Sequence, residues 1–340
     1  MSPMRLSAFF TEQVWVRRGW AACMLWPISL LTWLWVQGQH GLYRIGWRTA
    51  LRLNVPVLVV GNVMAGGTGK TPVVMGLVKH FKAQGWRVGV IARAYGSVDE
   101  SVAEVQHESL ADQAGDEPLL VKISCDVPVF VGRERAKAGL ALLKAYPDTD
   151  LIISDDGMQH AALWHDIAIC VFDDRNVGNA WLLPAGPLRE PWPRKPVLGV
   201  HQHVLYTGNK HPTHAWVATR RLATVARNGL GESQDLRDWS EQPVQALAGI
   251  AKPEAFFQAL EQAGLKLAKR WPMPDHATLS HWRADNGLPI FCTEKDAVKL
   301  WRHVPSAWTV PLVCELPPQL LETLDTELQQ LSSKHGQKTA

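Results

Sequence analysis

The chain has 340 residues, of which 46% are hydrophobic and 20% are charged, and its formal net charge is +3. The length suits two domains of ordinary size, and the composition is that of a globular protein rather than of a disordered chain. A net charge this small gives no reason to expect a nucleic-acid partner, and nothing in the sequence indicates an obligate protein partner. The five cysteines are far apart and form no Cys-x-x-Cys pair, which excludes a disulfide framework and a cysteine-based zinc site.

The first 40 residues are predicted to associate with a membrane. Residues 19–36 carry no charge and, as a helix, would be about 27 Å long, close to the thickness of a bilayer core. Six of the 16 tryptophans lie within the first 47 residues, and indole rings favour the bilayer interface. Pro27 leaves open a helix that is kinked or only partly inserted, and the core helix of a soluble protein remains an alternative.

A glycine-rich stretch, GNVMAGGTGKT at residues 61–71, follows an apolar run at 55–60 and precedes a helical pattern that extends to about residue 81. Strand, glycine-rich turn, Lys-Thr and helix in this order predict a phosphate-binding loop, whose backbone N–H groups and helix N-terminus face a phosphate chain. Lys70 is expected to reach the β- and γ-phosphates, and the Thr71 hydroxyl to bind Mg2+. Position 64 usually holds glycine in such loops, and this chain has methionine there. The predicted nucleotide-binding residues are Met64, Ala65, Gly66, Gly67, Thr68, Gly69, Lys70 and Thr71.

Apolar strands alternate with helices after the loop, which predicts an α/β fold with a doubly wound, mostly parallel sheet. A Pro-rich segment, residues 183–193, is predicted to be a surface loop. A second, smaller α/β pattern begins at residue 244. The predicted domains are the membrane-associated segment (1–40), a phosphate-loop α/β domain (41–215) and a smaller α/β domain that closes over the site (216–340). In the smaller domain, a helix is predicted near 277–285, a strand at 308–314 and a last helix at 317–332.

Several acidic residues and one histidine are candidates for the chemistry. Asp155 and Asp156 follow an apolar strand about 85 residues after the loop, where a carboxylate of phosphate-loop enzymes holds Mg2+; solvated turn residues are the alternative. Asp116 and Glu117 stand at a predicted helix N-terminus, where carboxylates also occur simply as caps. His276 is a candidate base, because histidine is the side chain most often used to accept a proton near neutral pH.

Candidate substrate-binding residues lie at strand ends and in the Pro-rich segment. Arg93, Arg135 and Arg189 are expected to contact phosphates through paired N–H groups, although each would serve equally well in a structural ion pair. Gln159 and His160, just after the aspartate pair, are expected to face the same pocket, with a surface position as the alternative.

Eight stretches taken together resemble the tetraacyldisaccharide 4'-kinases, the lipid A 4'-kinases of Gram-negative bacteria. The resemblance covers nearly the whole chain, including the N-terminal segment, and the stretches occur in that family's order. The sequence departs from the family pattern at 92–96, where Ser-Arg-Gly-Tyr-Gly is usual, and at Ala277, where many members have histidine. The stretches are GNVMAGGTGKTP (61–72), ARAYG (92–96), GDEP (115–118), DDGMQH (155–160), LPAGPLREP (183–191), AGIAKPEAFF (248–257), PDH (274–276) and TEKDAVKL (293–300).

The resemblance implies an activity. Members of the family use MgATP to phosphorylate the 4'-hydroxyl of a membrane-embedded tetraacylated glucosamine disaccharide 1-phosphate, a step of lipid A biosynthesis. ATP and Mg2+ are therefore the expected cofactors, and an acylated disaccharide lipid is the expected partner. The catalytic domains are expected at the cytoplasmic face of the bacterial inner membrane. Two alternatives stay open: a phosphate-loop ATPase that acts as a regulatory switch, and a soluble small-molecule kinase.

The resemblance also implies roles for single residues. Asp116 and His276 match the family's acid–histidine pair, in which the histidine accepts the hydroxyl proton and the aspartate orients it. Glu117 is expected on the metal side of the site, together with Asp155 and Asp156. The predicted catalytic residues are Asp116, His276 and Lys70, and the predicted metal ligands are Thr71, Glu117, Asp155 and Asp156.

Overall fold

A computed structural model describes residues 10–93, 102–195, 197, 199–283 and 287–336 of the chain. Within these ranges, a long N-terminal helix precedes two α/β units that are joined by a two-stranded ribbon. The predicted α/β class is therefore confirmed. Most of the stretch in which the sequence departs from the Ser-Arg-Gly-Tyr-Gly pattern, residues 94–96, falls outside the described residues.

The N-terminal helix, α1 (Trp20–Arg44), is 25 residues long and follows a short helical turn at Phe10–Val14. Pro27 lies within α1 without ending it. The stretch Trp20–Tyr43 is long and apolar enough to cross a membrane, with a mean hydropathy of 1.2. Of its apolar 18-residue window, only 11% is buried in the protein. An apolar helix that the protein itself leaves uncovered is what association with a membrane requires.

The first unit is built on a sheet of eight strands. They are β1 (Val57–Gly61), β2 (Val88–Ala92), β3 (Ala103–Glu104), β4 (Val129–Val131), β5 (Leu151–Asp155), β6 (Ile167–Phe172), β7 (His201–Tyr206) and β8 (Trp216–Val217). The strand order is β3-β4-β2-β5-β1-β6-β7-β8, and every pair is parallel except β3 with β4. Polar residues that follow β1, β2, β5 and β6 therefore meet at one edge of the sheet, where ligands of open α/β sheets bind.

Helices cover both faces of this sheet. They are α2 (Lys70–Ala83), α3 (Ala111–Ala114), α4 (Asp116–Cys125) and α5 (Arg135–Ala145). Alternate residues of β1 enter two separate cores, because successive side chains of a strand point to opposite faces. Leu58 and Val60 pack with residues of α2 and α4, whereas Val57 and Val59 pack with residues of α5. This is the predicted doubly wound sheet.

The chain leaves the first unit through β9 (Thr219–Leu222) and returns through β16 (Leu312–Glu315), and these two strands form an antiparallel ribbon. Between them lies a six-stranded sheet with the order β11-β10-β15-β14-β12-β13, in which β12 to β15 are parallel. Its strands are β10 (Val225–Asn228), β11 (Ser233–Asp235), β12 (Pro243–Ala248), β13 (Lys266–Pro272), β14 (Ile290–Cys292) and β15 (Trp308–Thr309). Its helices are α6 (Pro253–Gln262) and α7 (Glu294–Leu300), with a single helical turn at Leu236–Trp239.

The last helix, α8 (Pro318–Gly336), packs on the first unit. Leu320, Leu324 and Leu328 lie in the same core as the apolar face of α2. The strand β8 also belongs to the first sheet, where it pairs with β7. The division of the chain at residue 216 stays a prediction. β8 and α8, which follow that residue, both pack with the first unit.

Three predictions differ from the structure. The Pro-rich segment is not a surface loop, because Ala185, Leu188 and Glu190 are buried. The helix near 277–285 is wrong, because the described residues 277–283 are irregular chain with a turn at 280–281. Leu279 is buried in a small core of the second unit, and this packing takes precedence over the local helical pattern. The strand predicted at 308–314 is interrupted by Pro311, which has no N–H to donate to a strand ladder, and it forms β15 and β16 instead.

Candidate active site

The glycine-rich loop forms the turn between β1 and α2. β1 ends at Gly61, and Gly69 immediately precedes Lys70, the first residue of α2. Gly66 and Gly69 have φ angles of 87° and 76°, values that residues with a Cβ rarely adopt. A Cβ on Gly69 would also lie 2.6 Å from a guanidinium nitrogen of Arg220. These glycines allow the turn that leaves the N-terminus of α2 open to a phosphate.

Met64 replaces the usual glycine because its side chain is part of the core beneath the loop. It is 1% exposed and forms an antiparallel bridge with the Pro-rich segment. The N–H of Ala65 donates to the carbonyl of Pro187 at 2.8 Å, and the N–H of Arg189 donates to the carbonyl of Val63 at 2.7 Å. The Pro-rich segment therefore supports the first half of the loop through backbone hydrogen bonds.

Two polar side chains hold the second half of the loop. Asn62 donates through Nδ2 to the hydroxyl of Thr68 at 3.1 Å. Arg175 donates to the carbonyl of Gly67 at 2.7 Å, and its guanidinium is held by Asp173 at 2.9 Å. No sequence pattern indicated Arg175, because it lies beyond a strand end more than 100 residues after the loop.

Lys70 and Arg189 share one carboxylate. Lys70 Nζ lies 3.3 Å from Asp156 Oδ1, and Arg189 Nη1 lies 3.3 Å from Asp156 Oδ2. Burial alone would raise the pKa of Asp156, but the charges of Lys70 and Arg189 outweigh burial and lower that pKa. The carboxylate therefore stays ionised and holds both cations beside the loop.

Asp155, Thr71 and Glu117 provide oxygen atoms suited to Mg2+. Asp155 ends β5 and is 5% exposed, and burial, together with the charge of Glu117, raises the pKa of Asp155 to about 7. Within the described parts of the chain, Oδ1 of Asp155 has no hydrogen-bond partner, and no three His, Cys, Asp or Glu residues form a metal cluster by themselves. A buried, unpartnered carboxylate oxygen and the hydroxyl of Thr71 at the start of α2 fit an ion that takes its other ligands from phosphates and water.

Asp116 and His276 come from different units and meet next to these carboxylates. Nδ1 of His276 lies 3.2 Å from Oδ2 of Asp116, and Nζ of Lys299 lies 3.0 Å from the same oxygen. Burial alone would raise the pKa of Asp116, but the hydrogen bond with His276 and the charge of Lys299 lower it. The hydrogen bond with Asp116 in turn raises the pKa of His276 above its usual value. The pair lines a small pocket with Glu117.

Lys295 approaches the same pair from α7. Its Nζ lies 3.2 Å from Nε2 of His276, 2.8 Å from Oδ1 of Asp275 and 3.6 Å from Oε1 of Glu117. Neither Lys295 nor Lys299 was predicted from the sequence to be a site residue. Their spacing of four residues places both on one face of α7, and this is the signal that could have found them.

The start of α7 is fixed by an N-cap that reaches a neighbouring loop. Thr293 accepts a hydrogen bond from the N–H of Asp296 at 3.2 Å. Asp296 is fully buried and accepts the N–H of Gly249 at 2.8 Å. The loop that follows β12 is therefore tied to α7, and Lys252 of this loop reaches Asp173 of the first unit at 3.6 Å.

The predicted substrate-binding residues divide between two places. Arg93 and Arg135 line the pocket of the Asp116–His276 pair, and Arg135 is 2% exposed and donates to two backbone carbonyls. Burial, reinforced by Arg135 and Arg93, lowers the pKa of His160 to about 4, so this imidazole is neutral. Gln159 donates to Glu190 at 2.6 Å and lines a different cleft, on the side of α1.

Two larger clefts flank the site. One, of about 360 Å³, lies between the phosphate loop and the second unit and is lined by Lys70, Thr71, Lys252, Phe256 and Leu312 among others. The other, of about 680 Å³, lies between the end of α1 and the first unit. The Pro-rich segment separates the second cleft from the phosphate loop, to which it is hydrogen-bonded.

The fold and the site together define a phosphate-loop phosphotransferase. The doubly wound sheet carries a Gly-Gly-Thr-Gly-Lys-Thr loop and a carboxylate pair at the adjacent strand end, and an acid–histidine pair faces both. The profile of the family described as Tetraacyldisaccharide-1-P 4'-kinase matches residues 21–329. The chain belongs to this family of lipid A biosynthesis kinases. The predicted family and enzyme class are thereby confirmed, and the regulatory switch and the soluble small-molecule kinase are set aside.

Relatives match over nearly the full length. The chain is 47% identical to the tetraacyldisaccharide 4'-kinase of Acidovorax sp. (strain JS42) over 323 residues, which are 94% of each chain. It is 47% identical to that of Polaromonas naphthalenivorans (strain CJ2) over 337 residues, which are 96% of this chain and 98% of the relative. The structure resembles the crystal structure of LpxK from Aquifex aeolicus in complex with ATP, with a TM-score of 0.79, 27% identity, and coverage of 92% of this chain and 99% of that one.

Proposed function

We propose that the chain transfers the γ-phosphate of ATP to the 4'-hydroxyl of a tetraacylated glucosamine disaccharide 1-phosphate. The observation that carries the proposal is the contact between Asp116 and His276, which meet at 3.2 Å across the two units beside Asp155 and Asp156. Transfer to an alcohol needs a group that accepts the hydroxyl proton next to the bound phosphates. This pair supplies such a group.

The loop and Lys70 bind the phosphates in this proposal. Backbone N–H groups of the loop and the N-terminus of α2 face the phosphate chain. Lys70, which Asp156 holds at 3.3 Å, lies at the first residue of α2 and is already oriented toward the site. Because the ammonium is positioned in advance, little reorganisation accompanies binding or the build-up of charge during transfer.

Thr71, Asp155 and Glu117 would hold Mg2+. The ion, when bound, neutralises charge on the β- and γ-phosphates. Asp156 is engaged with Lys70 and Arg189, so its contribution is to the charge balance of the site. Oδ1 of Asp155 has no hydrogen-bond partner among the described residues, which supports this assignment.

The proton of the acceptor hydroxyl passes to Nε2 of His276. Asp116 accepts from Nδ1, so it fixes the ring orientation and stabilises the imidazolium that forms. Lys295 lies 3.2 Å from Nε2, and Asp275 and Glu117 are within 3.6 Å of the same ammonium. When the hydroxyl approaches Nε2, Lys295 moves away from the imidazole and stays bound to Asp275 and Glu117.

The acylated acceptor suits the cleft beside α1. Four cationic side chains line this cleft, which is appropriate for a sugar 1-phosphate: Arg48, Arg52, Arg194 and Lys195. The uncovered apolar surface of α1 borders the same cleft and suits acyl chains. Because ATP is cytosolic, the two α/β units are placed on the cytoplasmic face of the inner membrane.

The test is transfer of labelled γ-phosphate from ATP to a panel of acylated disaccharide 1-phosphates and soluble sugars in detergent micelles. The proposal predicts labelled product with the tetraacylated disaccharide 1-phosphate and none with the soluble sugars. Equal transfer to soluble sugars, or hydrolysis of ATP without any labelled lipid, would contradict it.

A further inference from the structure

We infer that Ser29 of α1 is a positioning residue for the phosphate loop, because its hydroxyl fixes the Pro-rich segment that carries the backbone of Met64 and Ala65. The inference rests on nucleotide binding at this loop, as proposed above. It makes the membrane helix a structural part of the nucleotide site and not only an anchor.

Ser29 is one of the few buried residues of α1. It is 5% exposed, and Ala22, two turns earlier on the same face of the helix, is fully buried. The Ser29 hydroxyl donates to the carbonyl of Leu182 at 2.8 Å and accepts the N–H of Ala185 at 3.0 Å. One hydroxyl therefore joins both sides of the turn that opens the Pro-rich segment.

The residues before α1 reinforce the same attachment. Asn179 donates through Nδ2 to the carbonyl of Val14 at 3.0 Å and to that of Ala185 at 2.8 Å. The indole N–H of Trp15 donates to the carbonyl of Pro184 at 3.0 Å. These contacts all attach the turn to the N-terminal segment.

The other side of the turn holds the phosphate loop. Two residues after Ala185, the carbonyl of Pro187 accepts the N–H of Ala65 at 2.8 Å, and the N–H of Arg189 donates to Val63 at 2.7 Å. Leu188 and Met64 between these bonds are each 1% exposed. Ala185, which is bonded to Ser29, and Pro187, which is bonded to the phosphate loop, are thus only two residues apart.

Such a short connection transmits displacement. The N–H of Leu183 donates to the carbonyl of Leu188 at 2.8 Å, which closes the segment on itself. Proline fixes φ at residues 184 and 187, so the segment has few soft dihedral angles. If the Ser29 hydroxyl is removed, the N–H of Ala185 loses its buried acceptor, whereas the carbonyl of Leu182 keeps the N–H of Gly186 at 2.9 Å. The segment then loses one of the bonds that set its position, and we expect it to shift together with Ala65.

The test compares Ser29→Ala with Cys23→Ala in the full-length protein. Cys23 is exposed on the same helix, so its variant removes a single heavy atom from α1 without touching the Pro-rich segment. The dissociation constant of a fluorescent ATP analogue is measured in detergent without lipid acceptor, and the KM for the acylated disaccharide is measured separately. Circular dichroism shows whether each variant is folded.

The inference predicts that Ser29→Ala weakens binding of the ATP analogue by about five- to tenfold, the effect of one buried hydrogen-bonding group, and leaves the lipid KM within twofold. Cys23→Ala should bind the analogue as the unsubstituted protein does. An unchanged dissociation constant for Ser29→Ala, or an increase confined to the lipid KM, would overturn the inference while leaving the proposed function intact. Absence of analogue binding by the unsubstituted protein would instead overturn the proposed function and the inference with it.

Discussion

Asp116 accepts from two donors of the second unit, Nδ1 of His276 at 3.2 Å and Nζ of Lys299 at 3.0 Å. Its negative charge is therefore held where it stabilises a protonated imidazole, and the pKa of His276 lies above its ordinary value. Only the neutral imidazole accepts a proton. Because the pKa of His276 is raised, the neutral form becomes populated at a higher pH. The pair thus links the geometry of two single residues to the pH dependence of the reaction.

The first prediction concerns this pH dependence. In the unsubstituted protein kcat/KM should rise with pH through a pKa above 6.5, as His276 loses its proton. Asp116→Asn removes the hydrogen bond to a carboxylate, which is the largest cause of the raised pKa of His276, while burial and the charge of Lys295 remain and lower that pKa. The acid limb should therefore move to lower pH, and kcat should fall by about 10²-fold or more because the imidazolium is no longer stabilised.

The control for that experiment is Asp112→Asn, which changes an exposed carboxylate one helical turn earlier in the sequence. Its pH profile should match that of the unsubstituted protein. An acid limb of Asp116→Asn that stays in place or moves to higher pH would contradict the assignment of the pair.

Of the contacts between single residues in the site, the sequence predicted the one between Asp116 and His276 but not the one with Lys299. Asp116 and His276 are 160 residues apart, so only the family resemblance could pair them, and the structure brings them together. Lys299 was not predicted, because lysines four residues apart on a short helix are equally typical of a solvated face. The burial of Lys299 arises from the packing of α7 against α4, which no local pattern reports.

At the scale of elements, the phosphate loop depends on the exact φ angles of its glycines as much as on Lys70. Gly69 has a φ of 76° and lies against Arg220, so the residue before α2 cannot carry a Cβ without strain. Elements in the first unit were predicted well because their strands are short apolar runs between clear turns. Residues 277–283 were predicted as a helix but form irregular chain, because packing in a small core, as at Leu279, sets the spacing of their apolar residues.

Gly69→Ala is predicted to weaken nucleotide binding. The left-handed conformation costs a residue with a Cβ about 1–2 kcal/mol. The guanidinium of Arg220 would also have to move away from the added Cβ. The fluorescent ATP analogue should bind at least about tenfold more weakly, measured by equilibrium titration.

Gly85→Ala is the matched control, since Gly85 has a φ of 90° and no atom within 4 Å of an added Cβ. Both variants should lose about 1–2 kcal/mol of unfolding free energy, but only Gly69→Ala should lose affinity for the analogue. Equal affinity in the two variants would mean that the turn at Gly69 does not shape the nucleotide site.

At the scale of the whole molecule, the N-terminal helix and the two α/β units meet around the Pro-rich segment. The apolar surface of α1 includes Leu31 and Leu34, which are 65% and 57% exposed. Burying such side chains in a bilayer is favourable, whereas charges there are costly. The helix was predictable from its 18 uncharged residues, but its attachment through Ser29 was not, because one serine in an apolar helix has no distinctive pattern.

Replacing Leu31 and Leu34 together by Glu should release the protein from phospholipid vesicles. The apparent partition coefficient in a flotation assay should fall by about tenfold or more, because two charges would enter the apolar region. Leu140→Glu, at an exposed position of α5, is the control and should float as before. Unchanged flotation of the double variant would contradict association through this face of α1.

In the proposed reaction, the acid–histidine pair and the phosphate loop direct a phosphate to one hydroxyl of a lipid. The most direct measurement locates the new phosphate by NMR after reaction of the tetraacylated disaccharide 1-phosphate with ATP, using the unsubstituted protein, Lys70→Ala and its control Lys79→Ala, an exposed lysine of the same helix. We expect phosphate at the 4' position, a loss of about 10²- to 10³-fold in kcat for Lys70→Ala and none for Lys79→Ala. Phosphate at another position, or full activity of Lys70→Ala, would contradict it.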